Sequence, residues 1–405
     1  MSLHSEPPRI GGVTAWGFVV RFGLVAMCGD IVYEGARSIT GPLLAHLGAS
    51  ALLVGVVTGV GETAAFGLRL FSGPLSDRSR RFWAWTLGGY GLTVVSVPLL
   101  GLATALWLAC ALVILERVGK AVRSPAKGAL LAHATAVTGR GRGFAVHEAL
   151  DQFGALLGPL IVAGMLALTS DDYRPALLVL AVPGALLATL VVRLAMRVRD
   201  PSGYEPAAGR ATTTAARPGR LPRAFWVYAV FVGLTTTGFA TFGVLSYHLV
   251  TAGLLSAAQV PLLYAAIMVV DAFAAVASGW AYDRWGVAVL AALPVVAAVV
   301  PGLAFSGVVA VAVIGTLVWG LALGVQESTL KATVADLVDP SRRATAYGMF
   351  GAVVGVGAAA GGALAGGLYQ VSVPLLAGVT AAVQAAALVV LLTGSVGGRP
   401  RSRTA

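Results

Sequence analysis

Three ionisable residues, Asp30, Glu34 and Arg37, stand close together in an otherwise apolar stretch of the chain. Their spacing places all three on one face of a helix. Two carboxylates one turn apart in a low dielectric do not both ionise readily, so one of them is expected to exchange a proton. That chemistry could couple proton movement to another event. The alternative is an ion-pair cluster, with Glu34 paired to Arg37, that only fixes the helix in place.

A second arrangement of charges recurs later in the chain. Glu116, Arg117 and Lys120 lie in one apolar stretch, and Glu327 and Lys331 lie in another. Each glutamate precedes its lysine by one helical turn, a spacing that allows an ion pair on a helix. Buried lysine titrates more readily than arginine, so both lysines are candidates for proton exchange. We expect Arg117 to pair across helices with the two carboxylates of the first group and to modulate their proton.

Other ionisable side chains inside apolar stretches are Glu62, Arg69, Arg123, Lys127, Glu148, Asp151, Asp271 and Asp336. Charges inside a bilayer are costly and usually face a cavity or a partner. We expect a structural network among four of them, namely Arg123, Lys127, Glu148 and Asp151. Asp271 has no basic neighbour in the sequence, so it is either a second proton site or a hydrogen-bond partner of an adjacent helix.

The composition indicates what must position these groups. Of 405 residues, 58% are hydrophobic and 11% are charged, with a mean hydropathy of +0.86. Soluble domains have about 25% charged residues, so the composition excludes a soluble enzyme, a disordered chain and a disulfide-built domain. The apolar runs are continuous rather than alternating, which excludes a transmembrane β-barrel. The sequence therefore predicts an all-α membrane protein that crosses the bilayer many times.

We predict twelve spans, since each needs about 20 apolar residues. They are expected at residues 15–45, 50–72, 83–101, 105–132, 143–168, 175–196, 223–250, 259–280, 287–306, 309–337, 344–369 and 374–394. Arginines concentrate in alternate loops, which predicts a cytoplasmic (inner) membrane protein with both termini cytoplasmic. The net charge of +11 is spread over those loops, so we expect no nucleic-acid partner. The polar N-terminus lacks a cleavage site, so we expect no removable signal peptide.

The longest loop divides the chain into two halves. Residues 197–222 are rich in Pro, Gly, Ala, Thr and Arg and are predicted to form a cytoplasmic linker. The predicted domains are a six-helix bundle over 1–196 and a second six-helix bundle over 223–405. Two six-helix bundles that are parallel repeats of each other form a transporter architecture in which substrate binds between the halves.

A short motif, G-x-x-x-D-R, repeats in the two halves. It comprises Gly73, Asp77 and Arg78 after span 2, and Gly279, Asp283 and Arg284 after span 8. We expect each glycine to stand where a helix ends. Each aspartate is expected at the start of the next helix, and each arginine is expected to anchor the loop to the cytoplasmic surface. The alternative to a gating role is a plain basic turn.

These motifs resemble those of the major facilitator superfamily, and the resemblance covers nearly the whole chain. The family pattern, roughly G-x-L-A-D-R-x-G-R-R/K, is similar to the run from Gly73 to Arg81, with Arg80 in place of the second glycine. The second copy, from Gly279 to Gly286, keeps both glycines. The resemblance implies that these loops help to latch the two halves in the outward-facing state. It also implies that spans 1, 4, 7 and 10 line a central cavity.

A glycine motif in span 5 resembles part of the antiporter signature of the family's drug exporters, which ends G-P-x-x-G-G. Gly154, Gly158 and Pro159 match, whereas residues 161–163 replace the closing glycine pair. Glycines at this spacing let a neighbouring helix approach closely, and proline weakens a helix locally. Simple tight packing is the alternative to a role in antiport.

The function predicted from these observations is secondary active transport of a small molecule by alternating access, in the form of proton-coupled export of a drug or metabolite. The first alternative is proton-coupled or facilitated uptake of a nutrient or small organic ion. A different class would be a non-transporting membrane receptor or a lipid scramblase. We expect no enzyme activity, no cofactor and no metal, and the absence of G-x-x-x-x-G-K-[ST] disfavours an ATP-driven pump. The expected partners are the solute, protons and the lipid bilayer, and the resemblance implies a working monomer.

Overall fold

A computed structural model describes residues 9–204, 221–339 and 342–394 of the chain. Helices account for nearly all of it. In chain order they are α1 Ala15–His46, α2 Ala51–Gly67, α3 Arg69–Ser79, α4 Phe82–Leu102, α5 Leu106–Thr138, α6 Arg140–Leu168, α7 Tyr173–Leu178, α8 Ala181–Arg197, α9 Arg223–Thr237, α10 Phe242–Thr251, α11 Gln259–Trp285, α12 Ala292–Ala304, α13 Val309–Leu337, α14 Arg343–Val371 and α15 Val373–Thr393. The predicted all-α membrane fold is confirmed.

The described helices include ten stretches that are long and apolar enough to cross a membrane. One of these stretches, Gln259–Ala304, contains both α11 and α12, which the sequence predicts as two spans. Helix α5 has the length of a span, but its five charged residues between 116 and 127 lower its apolar character. The ten stretches are thus compatible with twelve spans, and the number twelve stays a prediction.

Three of the predicted spans are interrupted rather than continuous. Span 2 is divided between α2 and α3, span 6 between α7 and α8, and span 7 between α9 and α10. Backbone groups freed at membrane depth need partners within the protein. At the break in span 7, the indole Nε1 of Trp319 donates to the carbonyl of Ala240 at 2.8 Å, and its ring stacks on Phe239. The break in span 7 is therefore stabilised by contacts within the protein.

The structure corrects the expected role of Gly73 and Gly279. Neither residue ends a helix, because α3 continues past Gly73 and α11 continues past Gly279. The chain reverses farther on, at Arg80 with φ 51° and at Gly286 with φ 62°. These are equivalent positions of the repeated motif, and the position where Arg80 replaces the family's second glycine is the one that needs a left-handed backbone.

The motif's charged residues also lie elsewhere than expected. Asp77 and Asp283 are in the last turns of α3 and α11, not at the start of the next helices, so that prediction is wrong. A carboxylate there meets the negative end of the helix dipole, whereas the neighbouring Arg78 and Arg284 are favoured by it. All four side chains are exposed, so water screens both effects.

Exchanging the residue types at the two turns should move stability in opposite directions. We expect Arg80→Gly to raise the free energy of unfolding by about 0.5–1 kcal/mol, since the left-handed backbone strains a residue with a Cβ. Gly286→Ala should lower it by about 1 kcal/mol, although no atom lies within 4 Å of the added Cβ. Chemical unfolding of the purified protein measures both, with Gly302→Ala, also in open space but without positive φ, as the control. A loss of stability in Arg80→Gly would contradict the strain argument.

The described residues group into two compact units. The first comprises 9–37 and 71–204, and the second comprises 38–70, 221–339 and 342–394. Packing thus groups 38–70 with the second unit, whereas the repeat places it in the first bundle. The division into 1–196 and 223–405 stays a prediction, and residues 205–220 of the predicted linker lie outside the described residues.

Each unit has its own apolar core. The first contains Phe18, Phe22 and Leu187, and the second contains Trp319 and Tyr264. An N-terminal antiparallel hairpin, Arg9–Ile10 with Val13–Thr14, completes the first unit. It is held to the short 3-10 turn Pro201–Tyr204, where the Tyr204 hydroxyl donates to the Val13 carbonyl at 2.9 Å. Burial raises the pKa of Tyr204 to about 12, so the hydroxyl keeps its proton and this bond at physiological pH.

Candidate functional site

Helices α1 and α5 bring six residues of the first unit together, and we call them the Tyr33 cluster. Its members are Tyr33, Glu34, Arg37, Glu116, Arg117 and Lys120. Each arginine has a carboxylate: Arg37 Nη1 lies 3.6 Å from Glu34 Oε2, and Arg117 Nε lies 3.5 Å from Glu116 Oε2. The cluster therefore contains three cations and two carboxylates.

The Tyr33 ring is the centre of this cluster. The Lys120 ammonium lies 3.8 Å from the ring centroid, and the guanidinium carbons of Arg117 and Arg37 lie 4.6 and 6.0 Å from it. Tyr33 is 1% exposed, and a cation over an aromatic face is attracted by the ring's quadrupole. Sequence reasoning missed Tyr33, because a tyrosine in an apolar helix has no signal that separates it from ordinary core.

A second group, the Asp151 cluster, joins α1, α4, α5 and α6 in the same unit. It consists of Asp30, Tyr90, Lys127, His147 and Asp151. Lys127 Nζ donates to Asp151 Oδ2 at 2.9 Å, and His147 Nε2 lies 3.7 Å from the same oxygen. The charges that act on Asp30 are those of Asp151, Lys127, Lys120 and Glu34. The charge of Lys127 thus acts on Asp30 as well as on its ion-pair partner Asp151.

His147 is a member that the sequence analysis passed over. It is 3% exposed, and its ring stacks on Phe22 with the ring centroids 6.0 Å apart. Among the described residues, neither ring nitrogen has a hydrogen-bond partner. His147 precedes Asp151 by one helical turn, so the periodicity of α6 could have found this contact.

Several predicted pairings are present and others are replaced. Glu34 contacts Arg37, and Lys127 contacts Asp151, as expected. Arg117 contacts Glu116, its sequence neighbour, and its expected pairing with the carboxylates of α1 stays a prediction. Arg117 also lies over the face of the Tyr33 ring on α1.

Two further expected pairings differ in the structure. The Lys120 ammonium contacts Tyr33 rather than Glu116. Arg123 turns toward α4, where Nη1 donates to the Thr93 hydroxyl at 2.9 Å and the guanidinium lies 4.8 Å from the Tyr90 ring centroid. Of the predicted four-residue network, the Lys127–Asp151 pair is present, and the rest of the network stays a prediction.

The candidate residues of the second unit are not gathered in this way. Asp271 on α11 is buried, and its backbone carbonyl is adjacent to Gly324 of α13. Glu327 and Lys331 are exposed on α13 and, within the described part of the chain, their side chains form no ion pair. Asp336 accepts a hydrogen bond from the Tyr282 hydroxyl at 3.0 Å. The first unit therefore contains the clustered chemistry.

The glycine motif of α6 packs directly on α1. A Cβ at Gly154 would overlap the Met27 carbonyl, and a Cβ at Gly158 would overlap the Ile31 carbonyl and lie 2.8 Å from the Gly35 nitrogen. The backbones of the two helices thus meet without side chains between them. Pro159 follows Gly158 inside the same helix. The close approach of helices predicted for this motif is present, and its role in antiport stays a prediction.

Adding a single methyl group at this interface should be costly. Gly158→Ala is expected to lower the free energy of unfolding by about 1–3 kcal/mol through overpacking. That loss should occur although alanine favours a helix by up to about 1 kcal/mol. Gly164→Ala on the same helix is the matched control, because no atom lies within 4 Å of its Cβ, and it should be neutral or stabilising. Equal effects of the two substitutions on unfolding would refute the tight-packing interpretation.

Among the residues that the structure describes, no group of three or more His, Cys, Asp or Glu side chains is arranged to hold a metal ion. The described residues instead combine long apolar helices, interrupted spans, and clustered charges in helices that also carry small-residue packing motifs. These features are typical of helical membrane transporters.

The chain belongs to the Major Facilitator Superfamily, whose family model matches residues 23–330 and 254–405. The family predicted from the motifs is thus confirmed, and it is a family of transporters.

Three proteins illustrate the similarity. An uncharacterized protein of Mycobacterium tuberculosis strain H37Rv is 59% identical over 388 residues, which is 95% of each chain. The multidrug resistance protein MdtH of Photorhabdus laumondii is 34% identical over 171 residues, 41% of this chain and 40% of its own. The crystal structure of the nucleoside transporter NupG has a TM-score of 0.72 at 12% identity, covering 92% of this chain and 98% of that chain. The last likeness shows the fold alone.

Proposed function

We propose that this protein is a proton-coupled secondary transporter that exports a small molecule across the cytoplasmic membrane by alternating access. The observation that carries the proposal is the Asp151 cluster, in which Lys127 forms an ion pair with Asp151 while the charges of Asp151 and Lys127 also act on Asp30. Asp30 forms no ion pair with another described residue, and in a low dielectric a bound proton removes the cost of its charge. A group of this kind can take up a proton on one side of the membrane and release it on the other.

Export is the proposed direction for two reasons. The motif with Gly154, Gly158 and Pro159 is similar to part of the antiporter signature of drug exporters. A relative that covers 41% of this chain is named a multidrug resistance protein. In antiport, the solute and the proton leave the site in turn, so the imported proton provides the energy for export.

Proton-coupled uptake is the second candidate, and one observation favours it. The charges that act on Lys120 include that of Asp30. A proton on Asp30 removes a negative charge from the surroundings of Lys120 and makes the site more attractive to an anionic solute. For such a solute, proton and solute would bind together and move in the same direction.

Flux measurements on the full chain test the proposal. The protein is reconstituted into liposomes with an imposed pH gradient, and a pH dye is read while a chemically diverse compound panel is added. At least one compound is expected to dissipate the gradient through the protein and not through protein-free liposomes. Reversing the gradient while following the labelled compound then separates export by antiport from uptake by symport. Solute equilibration without proton movement would contradict proton coupling, and an absence of any flux would favour a receptor or a scramblase.

We also propose that both termini are cytoplasmic, on the strength of the arginine-rich loops. The exposed Arg78 and Arg284, each in the last turn of its helix, are at positions that fit this orientation. A working monomer in the bilayer, without a further protein partner, completes the proposal.

A further inference from the structure

Lys120 differs from the other cations of the Tyr33 cluster. Arg37 and Arg117 each lie within ion-pair distance of a carboxylate. The Lys120 ammonium instead lies over the Tyr33 ring, 3.8 Å from its centroid, and within the described part of the chain it has neither an ion pair nor a side-chain hydrogen bond. The residue is only half-buried.

The chemistry of an ammonium group makes this arrangement incomplete. Lysine has three donors and no acceptor, and an aromatic face attracts the charge without accepting conventional hydrogen bonds. A partly desolvated donor without an acceptor costs free energy. An acceptor that enters from outside the protein, in contact with the side of the ammonium away from the ring, would remove this cost.

The neighbouring charges define the kind of acceptor. Arg37, with 21% of its side chain exposed, lies against the same ring as Lys120. With Arg117 this makes three cations against the carboxylates of Glu34 and Glu116. The charge of Asp30 also acts on Lys120, but the charges of Lys127 and Asp151 act on Asp30 as well. A cationic guest would meet three like charges here, whereas an anionic guest would balance the excess.

We propose that the Tyr33 cluster binds the anionic group, a carboxylate or a phosphate, of the transported small molecule, with Lys120 as its main contact and Arg37 beside it. Tyr33 holds the lysine in place through its ring. The proposal deepens the proposed function, because it names the substrate class of that transporter, and an anionic substrate favours its second candidate form, uptake by symport. The binding itself, however, does not depend on proton coupling and can be tested without it.

Binding is measured on the purified full chain in lipid nanodiscs, by calorimetric titration and by thermal stabilisation. The probes share one ring and differ in charge: benzoate, phenyl phosphate, neutral benzamide and cationic benzylammonium. Both anions, or one of them, should bind wild type more tightly than benzamide, and benzylammonium should bind least. The two anions distinguish a carboxylate site from a phosphate site. If neither anion binds better than benzamide, the proposal is wrong.

Variants locate the site. Lys120→Gln should weaken anion binding by about 10- to 100-fold, the effect of losing a charge-assisted hydrogen bond, and Lys120→Arg should retain most of it. Tyr33→Phe keeps the aromatic face and should bind the anion as tightly as wild type. Tyr33→Leu removes the aromatic face and should bind the anion more weakly. Arg193→Gln, exposed on α8, is the control for loss of a positive charge elsewhere. Unchanged anion preference in Lys120→Gln would overturn the proposal, and the wild-type probe series decides it even if that variant misfolds.

The outcome is separable from that of the proposed function. Asp30→Asn should still bind the anion even where it no longer moves protons. Anion binding that needs Lys120 in a protein without proton flux would support the site and reject the coupling. Proton flux driven by cationic compounds alone would support coupling and reject the anion site.

Discussion

Asp30→Asn is expected to uncouple proton movement from solute movement, lowering the protons moved per solute by about 10- to 100-fold, the range of a typical coupling free energy. Glu34→Gln should retain most of the coupling. The physical reason is the different surroundings of the two carboxylates. Glu34 is within 3.6 Å of Arg37, whereas Asp30 forms no ion pair with another described residue and the charge of Asp151 acts on it. The measurement is gradient dissipation in proteoliposomes with a transported compound.

The matched control for this prediction is Asp171→Asn. Asp171 is an exposed loop residue with φ 66°, a backbone conformation that asparagine tolerates. It removes one carboxylate without touching either cluster, so coupling should be unchanged. Full coupling in Asp30→Asn together with its loss in Glu34→Gln would move the proton site to the Tyr33 cluster.

Lys127→Met is expected to lower the free energy of unfolding by about 3 kcal/mol, as when one partner of a buried ion pair is removed. Without the ammonium, Asp151 loses its ion pair and Asp30 loses the attraction of one positive charge. The paired variant Lys127→Met/Asp151→Leu should recover part of the loss, because the carboxylate paired with the lysine is removed with it, whereas Asp30 loses the charge of Lys127 in both variants. Chemical unfolding of the three proteins in detergent measures these differences.

Lys331→Met is the control for the loss of a lysine charge. Lys331 is exposed on α13, and exposed substitutions usually change stability by about 0.5 kcal/mol or less. A Lys127→Met variant as stable as this control would show that the Lys127–Asp151 contact contributes little. A double variant less stable than the single one would show that Asp151 has a further partner.

The class of fold could be predicted because it depends on composition and run length. Continuous apolar stretches of about 20 residues leave few alternatives to helices in a bilayer. The predicted span over 15–45 therefore agrees with α1 at Ala15–His46 within a residue. The breaks in spans 2, 6 and 7 were not predicted, since they depend on partners from other helices, such as the indole of Trp319.

The site could be predicted in its membership more than in its contacts. A charged side chain inside the bilayer is energetically costly, so Asp30, Lys120 and Asp151 could be identified from the sequence as candidate site residues. The i, i+4 rule identifies neighbours on one helix only, so it suggested Glu116 for Lys120, and the structure gives Tyr33 instead. Contacts between helices depend on their rotation, which a single sequence does not contain.

The turns show the same limit. A glycine in a repeated loop motif suggested a helix end at Gly73, but the left-handed residue is Arg80. A glycine in the sequence tolerates positive φ, but its presence does not show that the backbone has positive φ at that position rather than at a nearby one.

The glycine contact between α1 and α6 has a mechanical consequence. With backbone against backbone at Gly154 and Gly158, the two helices can hardly slide or rotate past one another without steric overlap. The two helices should move as one rigid body during the transport cycle. Asp30, on α1, and Asp151, on α6, would then keep their separation while the unit tilts. The proton would then be carried by two carboxylates at a fixed separation whose exposure to water changes. The distance between the carboxylates would not change during the cycle.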